Sequence, residues 1–213
     1  VLTFPHKLGE QAGMIIAAVD WWGMCSADAV TLAVDLLTGG KTGPRFVERA
    51  HQGMVNQLAL SEALSHGLLD RPELQKAGKS LSDGKFIGFY GLSQGHILGG
   101  TYGALSTKID HVVLGVGGAS FGLMMSRAAP FKPFLDMLEG ASGSPAGAHT
   151  LMLLMQPILD RIDPAVWAPH LMSNTLPGSP QSRQILMHAG LADTQVPNIA
   201  NHFHARLLSL PLI

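Results

Sequence analysis

The chain has 213 residues and a mass of 22.5 kDa, the size of one domain or of a core carrying an insertion. Hydrophobic residues make up 46% and charged residues 14%, which supplies a large buried core and excludes a disordered chain. Fourteen basic against fifteen acidic side chains leave no basic stripe for phosphates, so nucleic acid is excluded as the main partner. Mean hydropathy is +0.24, yet no apolar run reaches the roughly 18 residues of a spanning helix, and no membrane span is expected. The single cysteine, Cys25, rules out an internal disulfide framework and a Cys-based zinc cluster. The chain begins at Val1 with neither a basic n-region nor an apolar h-region, so no signal peptide is expected.

In chain order, residues 6–12 read as the end of a helix and residues 14–19 as a first strand. Ser26 is placed to cap a helix with Asp28 in its first turn; Val30, Ala33, Val34 and Leu37 form its apolar stripe, and Gly39-Gly40 stops it. A longer helix opens near Pro44 and runs to about His66, with Gly67 as its stop. Residues 68–84 form a long polar connection. Residues 85–90, 112–116 and 184–189 read as further strands. None alternates polar with apolar, the pattern of strands buried on both faces of a parallel sheet. Residues 121–183 hold six of the ten Met and eight of the thirteen Pro residues. They read as an inserted cap with helices over 131–138 and 150–162, the second kinked or divided at Pro157. The expectation is an α/β fold: a three-layer sandwich with a mostly parallel sheet, its core formed by residues 1–120 and 184–213.

The pattern G-x-S-x-G occurs twice, at Gly91-Leu92-Ser93-Gln94-Gly95 and at Gly118-Ala119-Ser120-Phe121-Gly122. The first follows a compact strand and opens into a segment rich in small residues: Gly95, Gly99, Gly100, Gly103 and Ala104. A nucleophile elbow requires that context, because its serine sits on a strained strand-to-helix turn where flanking glycines remove Cβ clashes. The helix N-terminus then offers N–H groups to a developing oxyanion. The second pattern meets Arg127 and Pro130 within two turns, so Ser93 is preferred to Ser120. The bland reading of Ser93 is a serine in a tight glycine turn with no chemistry.

Asp193 follows the strand at 184–189, in a turn closed by Val196-Pro197. A carboxylate there can orient an imidazole at the C-terminal edge of a parallel sheet. Taken alone, Asp193 is better read as a turn or cap residue for a helix starting near Asn198; behind an elbow, the triad reading is preferred.

These residues resemble the α/β-hydrolase superfamily, serine esterase-like or lipase-like. The likeness rests on the elbow, the segment 109–118, the Gly-x-x-Asp-x-x-Val-Pro turn from Gly190 to Pro197, and Asp20-Trp21-Trp22-Gly23-Met24, and it covers roughly residues 14–205. Segments 91–100, 114–121, 156–164 and 195–198 further resemble the central part of larger bacterial members, so the fold is expected to be incomplete at both ends. The resemblance implies Ser93 as nucleophile, Asp193 as triad acid and the backbone N–H of Gln94 as one oxyanion donor. It implies a small-molecule ester substrate; the apolar, Met-rich cap and low charge point to an apolar acyl group, and with no zinc-spaced histidine pair and no Walker-type loop neither cofactor nor metal is expected. Peptidases and acyltransferases use the same residues, and a catalytically inactive binding or assembly module is the alternative from another class.

The family's histidine usually follows one more helix and one more strand beyond the acid. Twenty residues follow Asp193, so the triad histidine is expected beyond Ile213. His202 and His204 fall inside the expected last helix and are poor candidates. His96 reads as a packing or pocket-lining residue and His188 as a core histidine in a buried strand. His6-Lys7-Leu8-Gly9 is read as helix rather than as an oxyanion loop. His202-x-His204 is a weak zinc signal, and Gly115-x-Gly117-Gly118 lacks the frame of a dinucleotide site.

Overall fold

The computed structural model describes residues 3–23, 25–28 and 44–212. Its helices are α1 (Thr3–Ala12), α2 (Pro44–Ser65), α3 (Gln94–Leu105), α4 (Phe121–Met125), α5 (Lys132–Ser142), α6 (Pro145–Leu159), α7 (Pro164–Met172) and α8 (Asn198–Leu207). Its strands are β1 (Gln75–Lys76), β2 (Lys79–Ser80), β3 (Gly88–Leu92), β4 (His111–Gly115) and β5 (Gln184–His188). The protein is α/β, built around a parallel three-stranded sheet in the order β3-β4-β5. The register aligns Tyr90 with Val113 and Leu186, and Leu92 with Gly115 and His188.

One face of this sheet is packed. Val112, Leu114, Phe89, Ile185 and Met187 meet Tyr102 and Ala104 of α3, Ala168 and Leu171 of α7, and Leu208 in one apolar cluster. Gly100 and Gly103 let α7 approach α3 closely: a Cβ at Gly100 would stand 2.8 Å from Pro164 Cβ, and one at Gly103 would stand 3.0 Å from a Leu171 methyl. Arg183, just before β5, binds the ends of both helices. Its guanidinium donates to the Ser106 carbonyl (2.6 Å) behind α3 and to the His170 and Leu171 carbonyls (3.2 and 3.4 Å) of α7. These last-turn carbonyls have no intrahelical donor and carry the negative end of each helix dipole, which suits a cation.

The other face is open among the described residues, with Tyr90 41%, Leu92 43% and Leu186 52% exposed. That corrects the expectation of strands buried on both faces: the described helices that meet the sheet lie on the side of Val112 and Leu114. The strand expected over 14–19 is likewise not formed. Residues 14–20 carry no regular structure, and Met14, Ile15 and Ile16 are exposed. No strand pairs with this segment among the described residues; its ties are Met14 N–H to the Gly9 carbonyl (3.0 Å) and Gln57 Nε2 to the Val19 carbonyl (2.9 Å). An extended segment with no neighbouring ladder has no reason to be counted a strand.

Other elements agree closely with expectation. α2 stops before Gly67, whose φ of 92° is the left-handed turn foreseen for it. Of the helix expected from Ser26, the described residues hold a 3-10 turn, Ser26–Asp28; its stripe from Val30 to Leu37 lies outside the described residues. The connection 68–84 holds an unforeseen hairpin, β1 with β2, turned by Ala77 (φ 53°) and Gly78 (φ 72°). Two consecutive positive φ values form the turn that matches strand twist, and Ala in place of Asn hid its usual signature.

Within 121–183 there are four α-helices and one 3-10 turn, Ala129–Phe131. Pro157 does not divide the second of the expected pair: α6 runs unbroken from Pro145 to Leu159, capped by Ser144, whose hydroxyl accepts from Gly147 N–H (3.1 Å). Pro157 sits in the last turn, and the carbonyl that loses its donor belongs to Leu153, which is 70% exposed and open to water.

Candidate active site

The two patterned serines sit in contrasting surroundings. Ser93 links β3 directly to α3 with φ 53° and ψ −114°, a backbone conformation that ordinary residues avoid. Its N–H donates to the Gly115 carbonyl of β4 (2.8 Å), and its carbonyl accepts from His96 and Ile97 N–H (3.0 and 3.1 Å), which starts the helix. The turn is tight enough that a Cβ on Gly91 would overlap the Gly95 carbonyl group and lie 2.8 Å from the Phe89 ring. Gly91 is therefore required. Gly95, by contrast, has nothing within 4 Å of where its Cβ would stand among the described residues, so only the first of the two flanking glycines is sterically necessary.

Ser120 has φ −88° and ψ 164°, in the extended region, and leads only the five-residue α4. Its hydroxyl donates to Gln156 Oε1 (3.2 Å), which also accepts from Gly122 N–H (2.9 Å). Gln156 Nε2 reaches Asp163 Oδ2 (2.8 Å), and the same oxygen accepts from Phe121 N–H (2.7 Å). Asp163 is fully buried, and its other oxygen accepts from Ala165 N–H (2.9 Å). These bonds join the start of α4 to α6 and α7.

Gln94 is the first residue of α3. Asp193 lies beyond the C-terminal end of β5, partly buried, with Oδ1 accepting from Gln195 N–H (2.8 Å) and Val196 N–H (3.1 Å). The turn-forming role foreseen as the bland reading is thus present in the geometry. Asn198 closes the same loop: its side chain accepts from Ala192 N–H (2.9 Å) and donates to the Gly190 carbonyl (2.6 Å).

No histidine hydrogen-bonds to the Ser93 hydroxyl or to the Asp193 carboxylate among the described residues. His202 and His204 both lie in α8, His202 exposed and His204 fully buried. His96 is also fully buried. Its Nδ1 accepts from Gly117 N–H (2.9 Å), and its Nε2 lies 2.9 Å from Nδ1 of His204. Burial, with unfavourable charge interactions from His204 and His188, lowers the His96 pKa to about 2; burial lowers that of His204 to about 4. This pair was not foreseen. No spacing rule links positions so far apart in sequence, and the only trace is Gly100, whose Cβ would stand 3.0 Å from the His204 ring.

His188 corrects its sequence reading. It is exposed on the open sheet face, its ring lying across Gly115, because β5 buries only alternate residues. Depressions of about 370 Å³ beside Trp22, Arg45 and Arg49, and of about 330 Å³ beside Arg127, Leu135 and His149, include neither Ser93 nor Asp193. Groups of three or more His, Cys, Asp or Glu side chains able to hold a metal are absent among the described residues. No described helix is long and apolar enough to cross a membrane. Compared with known proteins, the chain matches no family model, no curated protein and no solved structure.

Proposed function

We propose that this chain forms part of an α/β-hydrolase-like sandwich and that Ser93 is the nucleophile of a serine hydrolase acting on esters. The observation that carries the reading is the positive φ of Ser93 at the C-terminal end of a parallel strand, directly before a twelve-residue helix. Strained residues of this kind persist where the surrounding structure holds them, and an elbow presents its side chain at the sheet's C-terminal edge.

In this reading the Ser93 oxygen attacks the ester carbonyl carbon while its proton passes to an imidazole. The tetrahedral oxyanion is stabilised at the start of α3, where the backbone N–H of Gln94 lies. Collapse expels the alcohol, which takes the proton from the imidazolium, and water then repeats the sequence to release the acid. Asp193 would orient the imidazole through its carboxylate. His96 and His204 are unsuited to be that imidazole, since their facing nitrogens already engage each other and Gly117. The apolar Leu92 beside the elbow and the Met-rich segment 121–183 support an apolar acyl group.

A fluorophosphonate probe tests the assignment, because it requires an activated serine but no particular substrate. An adduct on Ser93, lost in Ser93→Ala, is expected once the triad histidine expected beyond Ile213 is present; the 213 residues alone should label very slowly or not at all. No adduct with that histidine present, under conditions that label a control hydrolase, would point instead to a non-catalytic binding or assembly module on the same fold.

A further inference from the structure

We infer that His96 and His204 form a neutral two-ring latch that positions the elbow helix α3 against α8, and thereby fixes the Ser93 turn relative to the loop carrying Asp193. The functional side of this inference rests on the hydrolase reading; the latch itself does not.

The proton positions follow from the chemistry of the partners. Gly117 N–H can only donate, so His96 Nδ1 holds a lone pair and a neutral His96 ring carries its hydrogen on Nε2. That Nε2–H donates to His204 Nδ1, so His204 carries its own hydrogen on Nε2. The row therefore runs in one direction, from the Gly117 amide through both rings. An added proton on either ring would turn an acceptor into a donor facing another donor. The low pKa values of both rings agree with this arrangement.

Neighbouring charges do not offset it. His188 on β5 further disfavours a proton on His96. Asp163, next to the Pro164 that packs near His204, turns its oxygens to Phe121, Ala165 and Gln156 instead. Asp193 bonds within its own loop. His202, on α8 itself, faces solvent.

The latch grips the segment on which the site is built. Gly117 is pressed against the elbow: a Cβ there would overlap His96 and stand 2.6 Å from the Ser93 carbonyl oxygen. Its own carbonyl accepts from Asn201 Nδ2 on α8, so this glycine is held from both helices. Val116 N–H donates to the His188 carbonyl (2.8 Å) and Ala119 N–H to the Ala200 carbonyl (3.2 Å), tying the same loop to β5 and α8. At the start of α8, Asn198 and Asn201 bond each other (3.1 Å), and Asn198 holds the Gly190 carbonyl of the Asp193 loop. One buried ring-to-ring bond thus joins the helix led by Ser93 to the helix led by the Asp193 loop. His96 and His204 act through these contacts and are positioning residues.

Two measurements on the full 213-residue chain test the inference. Long-range 15N spectra of the imidazoles are expected to show both rings protonated only at Nε2 and neutral at pH 5.5; either ring charged there, or protonated at Nδ1, would overturn it. Hydrogen exchange at the Gly117 amide is the second. His204→Phe removes the acceptor and leaves His96 Nε2–H unpaired, so exchange should quicken by about tenfold or more. His204→Asn offers an oxygen near the place of Nδ1 and should recover most of that protection. Equal exchange in all three proteins would overturn the latch. Ser93 labelling by fluorophosphonate in the same variants, made with the triad histidine expected beyond Ile213 present, separates the two claims. If nothing labels while ring states and exchange behave as stated, the latch stands and the hydrolase reading fails. If wild type labels, His204→Phe should slow labelling more than His204→Asn; identical rates would refute the link between latch and site.

Discussion

The same five-residue pattern occurs twice in this chain and does two different things. At 91–95 the serine has a positive φ, leads a twelve-residue helix, and its hydroxyl makes no hydrogen bond among the described residues; at 118–122 the serine has an extended φ and ψ and its hydroxyl is bonded to Gln156. The second region spends its polar groups on structure: Gln156 and Asp163 cap α4 and join three helices. The difference teaches that G-x-S-x-G reports small residues around a serine, while the backbone at that serine separates a presented side chain from an anchored one.

The sharpest way to break the comparison is chemical. With the triad histidine expected beyond Ile213 present, Ser93→Ala should abolish fluorophosphonate labelling, a loss of at least about a thousandfold, whereas Ser120→Ala should leave the labelling rate within about threefold. Labelling lost in Ser120→Ala and kept in Ser93→Ala would reverse the assignment.

Acid should act on the first region more than on the second. The unfolded chain protonates its histidines near pH 6.5, whereas burial holds His96 at about 2 and His204 at about 4. Above pH 6.5 the neutral rings cost nothing. As pH falls below 6.5 the unfolded state gains protons that the fold refuses, so stability drops until the folded pKa values are reached. Between pH 7 and pH 5 the loss should be on the order of 3 kcal/mol for the pair, read from urea midpoints. A variant with both histidines replaced by Gln should show a much flatter profile; an unchanged slope would show that other groups control it.

A third contrast sets the two carboxylates against each other. Asp163→Ala strands two backbone N–H groups and one N–H of the Gln156 amide, whose nitrogen keeps its bond to Asp160, and should cost about 3 kcal/mol. Asp193→Ala frees only turn N–H groups in a partly open loop and should cost about 1 kcal/mol. Urea denaturation of both variants decides this. Equal losses would mean that Asp193 is as structural as Asp163, which weakens its role as an orienting acid.

Local signals carried much of this architecture. Gly67 announced the end of α2, the apolar runs announced β3, β4 and β5, and the strand-to-helix turn at Ser93 was legible because strand, serine and glycine-rich helix are contiguous. What the sequence hid depends on tertiary neighbours. Residues 14–19 have strand-like composition, but a strand exists only through its partner, and none adjoins them among the described residues. His188 reads as core because β5 is apolar, yet among the described residues helices cover only one face of the sheet. The His96–His204 bond joins residues 108 apart, beyond the reach of any periodicity.

The smallest effect separates the two glycines of the first pattern. Both Gly91 and Gly95 satisfy the motif, and by sequence alone they are equivalent. Gly91 faces backbone: an added Cβ meets the Gly95 carbonyl group, which cannot swing aside without unwinding the start of α3, and the Phe89 ring blocks the other side. Gly91→Ala should therefore cost about 2 kcal/mol and slow Ser93 labelling as the turn shifts. Gly95 already lies in the helix, with open space around the missing Cβ among the described residues. Alanine there reduces the entropy lost on forming α3 and should stabilise the protein by up to about 1 kcal/mol, with labelling unchanged unless a substrate-sized group needs that space. Thermal or urea midpoints of the two variants, compared with wild type, check the pair. A destabilised Gly95→Ala would mean that the space beside the elbow is filled in solution, and would make that filling the next thing to identify.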